Sequence, residues 1–157
     1  MSCRLFAISC ICFLPHIIGC GADVSVGDGK VVAFDTVCDK DKEGKRVTLE
    51  GFLDFPDRFN AKASSIVMRL QAAPTRTSRV IGARVKLNAG TNTIVAPPDK
   101  YNETDLKAVT HDGKSAGHKT RLKIAGVMLY SESLDTREFK CFLTGAQIEI
   151  AGAASSK

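Results

Sequence analysis

Aromatic side chains are scarce, 6% of the 157 residues with no tryptophan among them, and none falls in segments 66–71 or 79–87. Single-stranded nucleic acid is held by stacking its bases on aromatic rings, so this scarcity argues against that ligand. No segment repeats its apolar residues at helical period, which excludes a helix bundle. No apolar run approaches the roughly 20 residues that a membrane-spanning helix needs. The signatures of hydrolysis, nucleotide binding and zinc chemistry are also missing. The chain has no Gly-x-Ser-x-Gly elbow, no phosphate loop and no His-Glu-x-x-His pair, so it is expected to be non-catalytic and to carry no cofactor. Acidic residues are absent from one long stretch: all 17 lie outside the segment from Arg58 to Pro98.

Strand period is abundant by contrast. Arg46-Val-Thr-Leu-Glu-Gly-Phe-Leu-Asp-Phe55 and Arg121-Leu-Lys-Ile-Ala-Gly-Val-Met-Leu-Tyr130 share a pattern, with apolar residues at every second position and a glycine in the middle. Both predict long strands, and the interior glycines Gly51 and Gly126 predict a bulge, a bend or a close backbone approach. Further strands are expected at Lys30–Val37, Ser65–Gln71, Arg79–Leu87, Asp105–Thr110 and Phe139–Ile150, with a short pairing segment at Thr93–Val95. Alternation turns Ile66, Met68 and Leu70 inward and Arg69 outward. It likewise turns Ile81, Ala83, Val85 and Leu87 inward, and Arg84 and Lys86 outward. Asp112-Gly113 between alternating runs predicts a hairpin. The mixed-charge run Asp39–Lys45 lacks the spaced acids of a calcium loop and reads as a solvated turn.

The amino terminus is different in kind. After Arg4 the run Leu5–Leu14 has the length of a signal-peptide core. Ile17-Ile18-Gly19-Cys20, which follows it, resembles the lipobox of bacterial lipoproteins. The resemblance implies a signal peptide over 1–19, a lipidated Cys20 and a tether over 20–29, with a folded domain over 30–150 and a flexible tail over 151–157. Gly21, standing where aspartate marks inner-membrane retention in that class, implies a protein anchored in the outer membrane and facing the periplasm. The alternative is an ordinary secretory signal cleaved nearby. Cys3, Cys10 and Cys12 leave with the signal, so Cys38 and Cys141 are the two cysteines of the exported domain. They read as one disulfide, since a metal pair lacks the close spacing of zinc sites.

Five or six strands, two of them long and kinked at glycine, fit a small Greek-key barrel of the oligonucleotide/oligosaccharide-binding (OB) type, with a small β-sandwich as the alternative. Arg46-Val-Thr-Leu-Glu-Gly51, then Asp112-Gly113 followed by Lys119-Thr-Arg-Leu-Lys-Ile-Ala-Gly126, and Cys141 opening the final strand resemble small OB-fold lipoproteins and periplasmic proteins of Gram-negative bacteria. The resemblance covers roughly Lys30 to Ile150 and says little about function. The chain departs from the usual OB domain in having a non-helical connection where a barrel-plugging helix commonly sits.

Among candidate site residues, Glu50 and Asp54 share one face of the long strand and are expected to be solvated surface groups. His111 and His118 flank the hairpin, and no further metal ligand stands with them. The acid-free stretch carries seven basic residues, Arg58, Lys62, Arg69, Arg76, Arg79, Arg84 and Lys86, on two neighbouring strands and their turns. Arg69, Arg84 and Lys86, with Arg76 and Arg79 at the adjoining turn, are therefore the candidate anion-binding group. The expected partners are the membrane, through the lipid, and an anionic lipid, glycan or envelope protein. Alternatives are a solvated cluster without a partner, a nucleic-acid-binding OB domain, and an enzyme with an unrecognised site.

Overall fold

The computed structural model describes residues 30–56, 60, 62–75, 77–87, 90–96, 101–130 and 139–152. The signal peptide, Cys20 and its tether, Arg58, Arg76 and residues 153–157 lie outside the described residues.

The two glycine-centred runs form the long strands β2 (Arg46–Asp54) and β8 (Arg121–Tyr130), paired antiparallel from Arg46↔Val127 to Phe52↔Arg121. Their apolar alternation buries Val47, Leu49 and Leu53 from one and Leu122, Ile124 and Met128 from the other. Each such side chain contributes about 2 kcal/mol by leaving water. Both glycines sit where close approach leaves no room for a side chain, and the β8 pairing with β9 is irregular at Gly126. A Cβ on Gly51 would lie 2.6 Å from the Gln71 carbonyl oxygen, and one on Gly126 would lie 2.9 Å from that of Thr144.

Strands β3 (Ser65–Gln71) and β4 (Val80–Leu87) form an antiparallel ladder, and β9 (Cys141–Ile150) returns antiparallel to β8. Pairing β3 with β2 on one side and β4 in parallel with β9 on the other closes a five-stranded barrel, β2-β8-β9-β4-β3, of OB-like type. Ile66, Met68 and Leu70, and Ile81, Ala83, Val85 and Leu87, take the inward positions that alternation assigns them, and all join or pack against one apolar core.

The connection from β4 to β8 holds strands in place of a helix. β5 (Thr93–Val95) runs parallel to the end of β4, and β6 (Lys107–Val109) and β7 (Ser115–Gly117) add to it antiparallel. Ile94, Leu106, Ala108 and Ala116 bring this flap into the barrel's own apolar cluster. Its hairpin is tied at the tip. Lys114 lies 2.7 Å from Asp112, Thr110 also donates to that carboxylate, and together they hold it well below the usual carboxylate range.

The expected first strand is largely a turn instead. β1 covers only Lys30–Val31, parallel to β2, and Val32 makes the last ladder bond, to the Thr48 carbonyl at 2.9 Å. Beyond it the chain turns over the barrel, because Val37 is drawn into the core and Phe34 packs over Gly51. Cys38 is covalently fixed to Cys141, 103 residues away, as an oxidised pair. Closing a loop of that length stabilises by about 4–5 kcal/mol in the chain-entropy account.

Candidate functional site

The β3/β4 ladder fixes the outward face pair by pair: Ser65 opposite Lys86, Val67 opposite Arg84, Arg69 opposite Gly82. Arg84 and Lys86 are exposed two positions apart on one strand, which brings their charges to the same side of the sheet. The Arg84 guanidinium lies 5.2 Å from the centre of the Phe142 ring. That cation–π contact restrains the planar group without consuming its hydrogen-bond donors. Neither Arg84 nor Lys86 nor the exposed Arg79 ion-pairs with a carboxylate among the described residues.

Arg69 shares the face and differs in environment. Its Nε lies 2.8 Å from Asp54 Oδ2, and its Nη2 donates to the Phe55 carbonyl at 2.7 Å. Asp54 also accepts from Lys119 Nζ at 3.1 Å and has His118 Nδ1 at 3.7 Å, while Lys119 donates to Gln71 Oε1 at 2.6 Å. Lys119 holds a left-handed backbone, φ +62°, which costs about 1 kcal/mol outside glycine. Its N–H to the Leu53 carbonyl, 2.7 Å, anchors that geometry and aims the amine at Asp54. Asp54 is thus buried rather than solvated as its place in the alternation implied, because β3 sets Arg69 directly opposite it and the chain after β7 passes over it. Arg69 therefore has its charge compensated. Charge without a carboxylate partner among the described residues rests here on Arg84 and Lys86, with the exposed Arg79 just before β4. Glu50 pairs separately with Arg121, 2.9 Å away, so the two carboxylates serve different cations.

A groove opens beside these two residues. β4 and β9 pair only at Gly82↔Phe142 and Ala83↔Leu143, and β4 takes β5 as its neighbour from Lys86 onward. β9 meanwhile bulges where Gly145 adopts φ +59°. The strands part, leaving a hollow of about 670 Å³ lined by Ser64, Ser65, Arg84, Lys86, Asn92 and Gln147, among others. Among the described residues no acidic side chain lines it. Asn92 Oδ1 accepts from the Ile148 N–H at 2.7 Å, and Gln147 Oε1 accepts from Arg46. Both amide oxygens are thereby engaged, which fixes the orientation of the two side chains.

The two histidines belong to different places. His111 meets the Ile148 carbonyl through its backbone N–H at 2.9 Å and its Nδ1 at 3.2 Å, whereas His118 faces Asp54. Among the described residues no three His, Cys, Asp or Glu side chains gather around one point. Lys119, Asn92, Gln147 and Phe142 were not singled out by sequence. Alternation places a residue on a face, but it does not say which distant strand supplies the neighbour.

The structure defines the class, a small closed OB-like barrel with an exposed cationic pair that meets no carboxylate among the described residues, beside a groove. No family model, curated protein or solved structure matches the chain.

Proposed function

We propose that the protein is an envelope lipoprotein of the Gram-negative type, held by lipid on Cys20, whose barrel is a non-catalytic module for an anionic envelope component. The lipobox-like Ile17–Cys20 supports the anchoring. The observation that carries the binding is Arg84 and Lys86, exposed together and without a carboxylate partner among the described residues. Exposed cations acting singly contribute about 0–1 kcal/mol, but a pair that shares one oxyanion with charge-assisted hydrogen bonds contributes more. Binding is therefore weak and salt-sensitive, since screening acts over about 8 Å at physiological ionic strength.

The test places the full chain in neutral phosphatidylcholine nanodiscs and titrates oligogalacturonate and glycerophosphate at low and moderate salt. Arg84→Gln/Lys86→Gln should bind about tenfold more weakly than the parent while melting at the same temperature, because both side chains are exposed. Equal binding by the two proteins, or none by the parent, would sink the reading. Mass spectrometry of the mature amino terminus should find an acylated Cys20 as the first residue, and an unmodified terminus further on contradicts the anchor.

A further inference from the structure

The disulfide that joins Cys38 to Cys141 is unequally covered. Cys141 opens β9 and is fully buried, whereas Cys38, on the turn over the barrel, is only partly buried. Cys38 forms part of the wall of a surface hollow of about 420 Å³, together with Asp39, Lys40, Tyr130 and Lys140. That volume falls within the range of small-ligand sites. Tyr130 fixes the junction by donating from its hydroxyl to the Cys38 carbonyl at 2.6 Å. The charge of the hollow is lopsided. Asp39 is met by Lys42 at 3.2 Å, but Lys40 and Lys140 are exposed, and neither pairs with a carboxylate among the described residues. Lys40 follows one cysteine closely and Lys140 directly precedes the other, so the disulfide itself brings the two ammonium groups to one place. Disulfides are opened by attack of a thiolate, which is an anion. Lysines beside the bond raise the local concentration of that anion and stabilise the thiolate that leaves.

We propose that this hollow is a thiol–disulfide exchange site for a small thiol that carries carboxylates, with Cys38 as the sulfur attacked. The incoming thiolate forms a bond to Cys38 Sγ as the Cys38–Cys141 bond breaks, and the electron pair of that bond leaves on Cys141 Sγ. The products are a mixed disulfide at Cys38 and a thiolate at Cys141, so the thiol is the sole co-reactant. Attack in the opposite sense is blocked, because Cys141 is sealed in the core and only Cys38 belongs to the wall of the hollow. Cys141 stays beside Cys38 and can expel the small thiol to close the bond again, so the adduct accumulates only under excess thiol. The site is independent of the anion binding assigned to Arg84 and Lys86.

The test incubates the full chain in neutral nanodiscs with excess glutathione or with cysteamine, a thiol that bears an amine and no carboxylate, followed by acid quenching and peptide mapping by mass spectrometry. Glutathione should be found on Cys38, with Cys141 as a free thiol, while the barrel remains folded. Relative to their rates with the uncharged hydroxyethyl disulfide, glutathione should outpace cysteamine by about tenfold at low salt, and the gap should close at high salt. Lys40→Gln/Lys140→Gln should slow glutathione by about fivefold without slowing cysteamine, and should melt with the parent because both side chains are exposed. An adduct that forms only in urea, an adduct on Cys141, or a variant as fast as the parent with glutathione overturns the proposal. A glutathione rate in the parent that ignores salt overturns it too, whatever the variant does. None of these outcomes bears on Arg84 and Lys86.

Discussion

Asp54 has the most crowded electrostatic surroundings among the described residues, with Arg69, Lys119 and His118 all within 4 Å of its carboxylate. Removing its charge leaves two cations, 19% and 30% exposed, facing each other across an amide. Asp54→Asn should therefore cost about 2 kcal/mol, less than a fully buried pair because water still reaches both cations. Urea denaturation measures this, and a loss below about 0.5 kcal/mol would mean that the group is solvated after all. Period-2 alternation could identify Asp54 and Arg69 as outward residues. It could not show that they oppose one another, since that depends on the β2/β3 register, nor that Lys119 arrives from beyond β7. Arg84 and Lys86 were legible because their position needed only strand parity.

Among the elements, β3 and β8 have the bounds read from the sequence, and β4 nearly so, because each is a clean alternating run between turns. Gly51 was legible as a special position and its reason is a backbone contact. Gly51→Ala should cost about 2–3 kcal/mol, since a carbonyl oxygen 2.6 Å away cannot rotate aside as a side chain would. An unchanged urea midpoint would show that β2 and β3 relax apart at no cost. The failures were also informative. Lys30–Val37 alternates well but ends its ladder early, as Val37 and Cys38 reach the core and the disulfide by a turn. The flap β5–β7 was visible only as short pairing segments. Its assembly depends on Asn92 and His111 latching onto Ile148, contacts between residues 56 and 37 positions apart that no local pattern announces.

At the scale of the whole molecule, the basic stretch Arg58–Pro98 includes two neighbouring barrel strands, β3 and β4, while every acid lies outside it. Folding then sorts those cations. Asp54 compensates Arg69, and Arg84 and Lys86 remain as the charge that faces solvent beside the groove. The closure of β4 against β9, which creates that groove, was expected in outline from the Greek-key barrel, but which residues pair across it depends on strands more than 50 residues apart and was not legible. The most direct measurement is backbone amide chemical-shift mapping of the full chain in neutral nanodiscs during titration with oligogalacturonate. Shifts should concentrate at residues 64–67, 84–87, 91–92 and 145–147, and should vanish in Arg84→Gln/Lys86→Gln and at high salt. Shifts centred on the lysine-rich turn at 39–45, or no shifts at all, would contradict the assignment of anion binding to this side of the barrel.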